Sequence, residues 1–253
     1  METGQIVRVA MSLLVLLGSP GAVSSTPDAA VAPHPLPAPS SESWRPLTFP
    51  KISRHTAYNP AAVISNERPV LEARANCSAS GLILAIPDSF DLTRTPRLRW
   101  RWRVEQGLNH ADERSKSGDD FAARVYVLFE FNPTTAGAWE RLQRRIGTAL
   151  YGEGMPGKAI SYVWASRAER GEVWTNPYSA DTQMVVLETG SRGEWHTETV
   201  DLLADRVRLL GLQLDPVMAI ALMTDSDNTC VEVTAYYSDF HLLPPETNSD
   251  PAP

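Results

Sequence analysis

Alternation of apolar and polar residues is the clearest pattern in the middle of the chain. In the segment RLRWRWRVE (97–105), Leu, Trp, Trp and Val alternate with four arginines. A period of two places the apolar side chains on one face of a β-strand and the guanidinium groups on the other. The segment FAARVYVLFEF (121–131) alternates similarly, but its second face is also partly apolar. We therefore expect this second strand to lie in the middle of a sheet with both faces covered.

Five further short segments have the composition of strands and are separated by Gly, Pro, Asn and Asp. Many short strands with such turn residues between them are typical of a β-sandwich or barrel. The pattern predicts an all-β protein with a jelly-roll-like antiparallel β-sandwich fold. The five segments are GLILAI (81–86), SYVWAS (161–166), QMVVLET (183–189), EWHTETV (194–200) and AIALMT (219–224).

The end of the chain and two other segments depart from simple alternation. In the last predicted strand the apolar positions change parity before Phe240 and Leu242, which predicts a β-bulge near Ser238 and Asp239. Apolar residues within 139–150 recur at helical spacing, and a second such run ends at Gly211. We therefore expect one or two short helices beside the strands.

The first 24 residues have the pattern of a secretory signal peptide. Arg8 precedes the apolar run VAMSLLVLL, and small residues ending in AVS follow, which predicts cleavage after Ser24. The run is about half as long as a membrane-spanning helix requires. We therefore expect an exported protein, periplasmic or secreted, with no transmembrane segment in the mature chain.

The segments flanking the predicted domain are poor in apolar residues. Residues 25–43 are rich in Pro, Ser and Ala and predict a semi-rigid linker. Residues 244–253 are similar in composition and predict a disordered tail. One β-sandwich domain over residues 44–243 remains, which is long enough to bury a substantial core.

Charge and motifs exclude several classes of function. The net charge is −7, whereas a nucleic-acid partner requires a basic surface. The chain lacks the motifs of serine hydrolases, phosphate-binding loops and dinucleotide folds. Its five histidines show no paired spacing, so we expect neither zinc nor another cofactor. A carboxylate-based glycan hydrolase is not excluded, because it requires only two acids brought together in space.

The chain contains two cysteines, Cys77 and Cys230. Two thiols in an oxidising compartment favour a disulfide where the geometry permits. The alternative is two buried thiols, which behave as small hydrophobic side chains. We expect a Cys77–Cys230 bridge between the first and last strands.

Two acidic segments flank predicted strands. In KSGDDFAAR, Asp119 and Asp120 precede Arg124, which lies on the following strand. In MTDSDNTC, Asp225 and Asp227 follow a buried strand. Loops of a sandwich gather at its two ends, so the acids can meet, and several carboxylates cannot stay charged together without a cation. We predict that Arg124 pairs with an acid of the second segment.

Alternatives remain open for the second acidic segment, which ends in Asn228. Alternating acids followed by Asn place oxygen ligands close together, as in a calcium loop, but the longer calcium-binding pattern is missing. Asp and Asn also terminate strands by hydrogen-bonding their own backbone. The segment is therefore interpreted as a structural turn, with calcium or another ligand as the alternative.

Three aromatic residues are candidates for a binding surface. Trp164, Trp174 and Tyr178 flank the loop RAERGEVWTNPY, where burial in a core is less assured than for Trp100 and Trp102. Aromatic faces in a shallow cleft bind sugar rings or peptides. The alternative is that these rings fold back onto the edge of the sheet.

Several motifs together resemble an exported bacterial family, domain-of-unknown-function family 3047. The resemblance rests on LRWRWRV, DDFAARVYVLF, YVWAS, MTDSDNT and AYYSDFHL, and it covers about Trp44 to Leu243. The family implies no known activity. The closing YYSDFHL is also similar to the last strand of jelly-roll carbohydrate-binding modules. There an Asp at the position of Asp239 can help to hold a structural calcium, so this resemblance adds Asp239 to Asp225 and Asp227 as a possible calcium ligand.

Taken together, these features predict an exported, non-catalytic binding module for a carbohydrate or another cell-envelope ligand. One alternative is a carboxylate-based glycan hydrolase that uses the four acids of the two acidic segments. Another is a structural protein of the envelope. An aromatic-floored groove would favour binding, whereas an accessible acid with a raised pKa would favour hydrolysis.

Overall fold

In a computed structural model of the protein, the structure describes residues 31–61, 68–87, 90–108, 112–134, 157–190, 192–213 and 215–246. All of them belong to the compact unit that begins at Val31. The predicted signal peptide and the predicted helix within 139–150 lie outside the described residues. Within the described ranges, no helix is long and apolar enough to cross a membrane.

In the described part of the chain, thirteen strands form two sheets, which confirms the all-β, jelly-roll-like sandwich. The six-stranded sheet has the order β11-β6-β13-β4-β3, and β1 also pairs with β13. Its strands are β1 (His34–Pro35), β3 (Ala57–Pro60), β4 (Leu71–Asn76), β6 (Arg97–Gln106), β11 (His196–Asp201) and β13 (Glu232–Leu243).

The seven-stranded sheet has the order β2-β5-β12-β7-β8-β10-β9. β7 lies between β12 and β8, as its two partly apolar faces predicted. The strands are β2 (Arg45–Leu47), β5 (Ala79–Ala85), β7 (Ala123–Phe129), β8 (Ala159–Ala165), β9 (Val173–Thr175), β10 (Thr182–Thr189) and β12 (Val217–Asp225).

Most strand pairs are antiparallel, but β10 runs parallel to β8. The chain leaves β8, forms the short edge strand β9, and returns as β10 between β9 and β8. The sandwich is therefore mixed at this edge, where one parallel pair joins the antiparallel pairs that the sequence predicted. The reason is that β9 has only three residues and lies outside β10, so β10 takes the place beside β8.

The inner faces of the two sheets bury the main core. Trp100 and Trp102 of β6 are fully buried, as their alternation with arginine predicted, and Tyr162 of β8 packs against Trp100. A second, smaller cluster includes Phe121, Met184 and Val186. Phe121 precedes the first residue of β7 and packs in this smaller cluster.

The one described helix, α1 (Leu202–Leu210), follows β11 directly. The Asp201 carboxylate accepts a hydrogen bond from the Ala204 backbone N–H and caps the helix start. Gly211 ends the helix at φ 67°, a left-handed conformation that glycine adopts without steric cost. This helix and the bulge in β13 between Ser238 and His241 were both predicted.

The linker predicted for residues 25–43 is shorter than expected. β1 pairs with β13 in the register His34 to Leu242 and Pro35 to His241, and the Leu36 backbone N–H donates to the Phe240 carbonyl at 2.9 Å. Two paired residues and one further backbone hydrogen bond therefore hold this part of the Pro-rich segment against β13. The tail predicted from residue 244 is described only to Glu246, which pairs with Arg97.

Candidate functional site

The two acidic segments meet at one end of the sandwich. Arg124 lies on β7 opposite Met223 of β12, so its side chain reaches Asp225, where β12 ends. Its Nε donates to Asp225 Oδ1 at 2.9 Å, and its Nη2 donates to Asp225 Oδ2. The predicted pairing of Arg124 with an acid of the TDSDN turn is therefore present, in the two-pronged geometry that guanidinium and carboxylate favour.

The remaining donors of Arg124 are also bonded. Nη2 donates to the Asp119 backbone carbonyl at 2.7 Å, and Nη1 donates to the Tyr126 hydroxyl at 3.2 Å. Nη1 lies 3.5 Å from Asp119 Oδ1, and the guanidinium carbon lies 4.5 Å from the centre of the Phe121 ring. Asn176 donates to both carboxylate oxygens of Asp119, at 3.3 and 3.1 Å.

Asp120 holds the TDSDN turn from the other side. Its Oδ1 accepts from the Asn228 backbone N–H at 3.2 Å and from Asn228 Nδ2 at 3.0 Å. Its Oδ2 accepts from the Thr229 backbone N–H at 2.7 Å. The next residue, Cys230, is joined to Cys77 by a disulfide. We call the residues Asp119, Asp120, Arg124 and Asp225 the loop cluster.

Burial sets the charges of the loop cluster. Desolvation raises the pKa of Asp225 to about 7, and the attraction of Arg124 opposes this shift. Desolvation also raises the pKa of Asp119. Desolvation alone would lower the pKa of Arg124, but Asp225, Tyr126 and Asp119 hold it well above its usual range. Arg124 is therefore the permanent cation around which the acids are arranged.

A rim of more exposed side chains surrounds the loop cluster. Tyr178 is the one exposed large aromatic side chain in the described ranges, with 58% of its surface accessible. Its hydroxyl donates to the Lys116 carbonyl at 2.6 Å and lies 3.1 Å from Asn228 Oδ1. The Lys116 ammonium lies 5.5 Å from the ring centre. Asp227, half-buried, also has a raised pKa because of desolvation and the nearby Asp120 charge. We call Lys116, Tyr178, Asp227 and Asn228 the rim.

The other two aromatic candidates are not exposed. Trp164 is only 3% exposed and packs edge-on against Trp102 and His196 in the core, so the interpretation of Trp164 as a surface aromatic is wrong. It shares its parity on β8 with Tyr162, which also faces the core. Trp174 is half-buried, with its ring stacked on Phe121 at 6.4 Å.

The three possible calcium ligands, Asp225, Asp227 and Asp239, do not all lie together. One oxygen each of Asp120, Asp225 and Asp227 lies within 4.8 Å of the others, a spacing that a cation could bridge. Asp239 is not in this group. It lies in the bulge of β13 in the other sheet, where it pairs with Arg68 and His241. A structural calcium ion at Asp239, separate from Asp225 and Asp227, stays a prediction.

A second group of ionisable residues was not predicted. Glu188 on β10, and His196 and Glu198 on β11, offer ligand atoms within 4.8 Å of one another. Burial and the nearby Glu188 carboxylate raise the pKa of Glu198 to about 7. The sequence signal that was missed is the alternation along β11, where His196 and Glu198 lie on the same, apolar face of the strand as Val200. We call Glu188, His196 and Glu198 the strand cluster.

The family model described as "Protein of unknown function (DUF3047)" matches residues 42–241, which is most of the chain. No curated protein matches the chain. Among solved structures, it is similar to the family 11 carbohydrate-binding module of the cellulosomal cellulase Lic26A-Cel5E of Clostridium thermocellum, with 10% identity and TM-score 0.44, covering 88% of this chain and 100% of that one.

Two further structures have the same degree of similarity. The family 11 module from Clostridium thermocellum in complex with a mixed-linked tetrasaccharide has 9% identity and TM-score 0.40, covering 85% of this chain and 98% of that one. A variant of the Cel12A cellulase of Rhodothermus marinus has 12% identity and TM-score 0.40, covering 78% of this chain and 94% of that one.

Proposed function

We propose that this chain, which belongs to the family described as "Protein of unknown function (DUF3047)", is a non-catalytic module that binds a carbohydrate at the rim. The observation that carries the proposal is the position of Tyr178. Its large exposed aromatic ring is held by its own hydroxyl group beside Asn228 and the half-buried Asp227.

The rim offers the groups that sugar recognition requires. The apolar face of an aromatic ring packs on the C–H groups of a sugar ring, while polar side chains beside it bond the hydroxyls. Asp227 can accept, Lys116 can donate, and the amide of Asn228 can do both. These polar groups lie beside one aromatic ring, so a single sugar residue could contact all of them.

The loop cluster supports binding rather than hydrolysis. A carboxylate-based hydrolase needs two acids that reach the substrate. Asp119, Asp120 and Asp225 are buried, and their oxygens accept hydrogen bonds from Arg124, Asn176 and the backbone of the TDSDN turn. Of the four candidate acids, only Asp227 is partly exposed. The acids therefore fix the positions of the rim residues.

A glycan-array screen of residues 25–253, followed by calorimetry with any ligand found, tests the proposal. Tyr178→Ala should lower the affinity at least tenfold, because the stacking face is lost, and should change the melting temperature little, because the ring is exposed. Tyr236→Ala, on the outer face of the six-stranded sheet, is the matched control and should bind normally.

Three results would contradict the proposal. Equal loss of affinity in the Tyr178 and Tyr236 variants would place the ligand elsewhere. Release of reducing sugar from a bound glycan would favour the hydrolase alternative. A protein that binds no glycan on the array would favour a structural role in the envelope.

Export to the periplasm or the medium is part of the same proposal. It is supported by the pattern of Arg8 and the following apolar run, and the Cys77–Cys230 disulfide is typical of an oxidising compartment. N-terminal sequencing of the protein from its natural host should find a mature chain that begins near Ser25. Full-length protein recovered from the cytoplasm would contradict export.

A further inference from the structure

The strand cluster lies where an edge of one sheet meets the other sheet. His196 and Glu198 are on β11, the edge of the six-stranded sheet, in register with Trp102 and Trp100. Both tryptophans face the core, so the two β11 side chains also point inward. Glu188 comes from β10 of the seven-stranded sheet. The three side chains therefore bridge the two sheets.

The spacing of the three groups fits a small metal ion. His196 Nδ1 lies 3.2 Å from Glu188 Oε1. Bonds of about 2.0–2.2 Å to a tetrahedral zinc ion place neighbouring ligand atoms roughly 3.3–3.6 Å apart. One atom of Glu198 completes a triangle with no side above 4.8 Å. A small rotation of the Glu198 side chain would bring all three atoms to bonding distance of one point.

The arginine that pairs with the two carboxylates of the cluster reaches them from the surface. Glu188 and Glu198 are only 8% and 4% exposed, and a buried carboxylate pair is costly without a neighbouring positive charge. Their guanidinium partner, Arg170, has a side chain that is 63% exposed; its Nη1 donates to Glu188 Oε1 at 2.6 Å, and its Nη2 lies 3.6 Å from Glu198 Oε2. An exposed arginine can swing into water at little cost, so it leaves room for a stronger cation.

One hydrogen bond from outside the cluster also suits a metal-binding carboxylate. The Trp102 indole N–H donates to Glu198 Oε1 at 3.2 Å. Such a bond from outside the site is what orients a carboxylate that binds a metal.

We propose that Glu188, His196 and Glu198 bind a divalent transition-metal ion of the zinc class. An imidazole and two carboxylates are a donor set that zinc accepts, with water in the fourth position. The ion neutralises both buried carboxylates, displaces Arg170, and fastens β10 to β11 across the two sheets. This site is independent of the rim and its ligand.

Calorimetric titration of the chelator-treated mature chain with Zn²⁺ tests the site. The wild-type protein should bind one equivalent, and its melting temperature should rise by several degrees, because the ion binds the folded chain only. Co²⁺ in the same site should give the visible absorption of a tetrahedral complex. Mg²⁺ and Ca²⁺, which require more oxygen ligands, should not compete with Zn²⁺.

Variants separate this site from other zinc-binding groups. His196→Gln and Glu198→Gln should each lower zinc affinity at least tenfold, with folding checked from the unfolding curve of the metal-free protein. Arg170→Ala should raise the affinity, because a competing cation is removed. Asp227→Asn, in the rim, is the control and should bind zinc normally.

The outcomes are decisive in either direction. No zinc binding by a folded wild-type chain overturns the proposal. So does binding that His196→Gln leaves unchanged, or binding that Asp227→Asn abolishes. The proposal is supported if the wild-type chain binds one equivalent of zinc, His196→Gln loses this binding, and Asp227→Asn keeps it.

Discussion

The loop cluster and the strand cluster are both groups of buried carboxylates, but their cations differ. In the loop cluster the cation is Arg124, which is itself buried and donates to Asp225, Asp119 and Tyr126. In the strand cluster it is Arg170, whose side chain is largely exposed. The acids of the loop cluster are paired with a buried cation and stabilise the fold. The acids of the strand cluster are paired with an exposed cation that a ligand can displace.

We expect the largest loss of stability when Arg124, the buried cation of the loop cluster, is removed. Arg124→Ala leaves Asp225 and Asp119 buried without their partner, which costs about 3–5 kcal/mol. For a domain of this size we expect the melting temperature to fall by roughly 6–20 °C. Thermal unfolding followed by circular dichroism measures it.

Two further variants make this prediction specific. Arg114→Ala removes an exposed ion pair with Glu172 and should change the melting temperature by less than about 3 °C. The double variant Arg124→Met with Asp225→Asn should be more stable than Arg124→Ala, because the unpaired charge is gone. If Arg114→Ala and Arg124→Ala were equally destabilising, the loop cluster would not be what holds this end of the sandwich together.

The Cys77–Cys230 disulfide also holds the loop cluster in place, and its reduction should have the second largest effect on stability. Cys77 and Cys230 are 153 residues apart, and Cys230 directly follows the turn that Asp120 holds. Bridges of this kind typically contribute about 2–4 kcal/mol. Reduction should therefore lower the melting temperature by several degrees. Intact mass after alkylation without reduction should show no free thiol, and two free thiols would contradict the bridge.

The sequence predicted the strands that carry a long alternating pattern and missed the short ones. β6 and β7 were recognisable because apolar side chains repeat at every second position along them. β2 and β9 have three residues each, so their structure depends on the strands beside them. The placement of β10 beside β8 depends on a crossing connection, which local pattern does not record.

The two clusters show that prediction of the site from the sequence has the same limit as prediction of the fold. The loop cluster was predictable because its acids follow strands, and loops of a sandwich gather at its ends. The strand cluster requires knowing that β10 and β11 approach each other from different sheets, which a single sequence does not record. Trp164 was misplaced because SYVWAS is apolar at nearly every position, which hides its parity.

The pH dependence of stability tests the strand cluster when wild type is compared with a Glu198 variant, because burial also raises the pKa of Asp225 in the loop cluster to about 7. The folded-state pKa of Glu198 is about 7, above its unfolded value of about 4.3. Between these values the folded state binds more protons, so the Glu198 contribution to stability falls as pH rises from about 4 to 7. Glu198→Gln removes this loss, because the amide is always neutral.

In metal-free protein, Glu198→Gln should therefore be more stable than wild type at pH 8 by roughly 1–2 kcal/mol, after discounting for partial solvent access. Near pH 4 the difference should be close to zero. Melting curves of both proteins from pH 4 to 8 give the comparison. A variant less stable than wild type at pH 8 would show that the Glu198 charge is well compensated.

The most direct test of the comparison is calcium binding at the loop cluster. Because Arg124 already supplies the positive charge beside Asp225, added calcium should change the melting temperature of the chelator-treated protein by less than about 2 °C, and Asp227→Ala should behave in the same way. A calcium-dependent rise of about 10 °C or more that Asp227→Ala abolishes would contradict the account, because Asp120, Asp225 and Asp227 would then form a metal site.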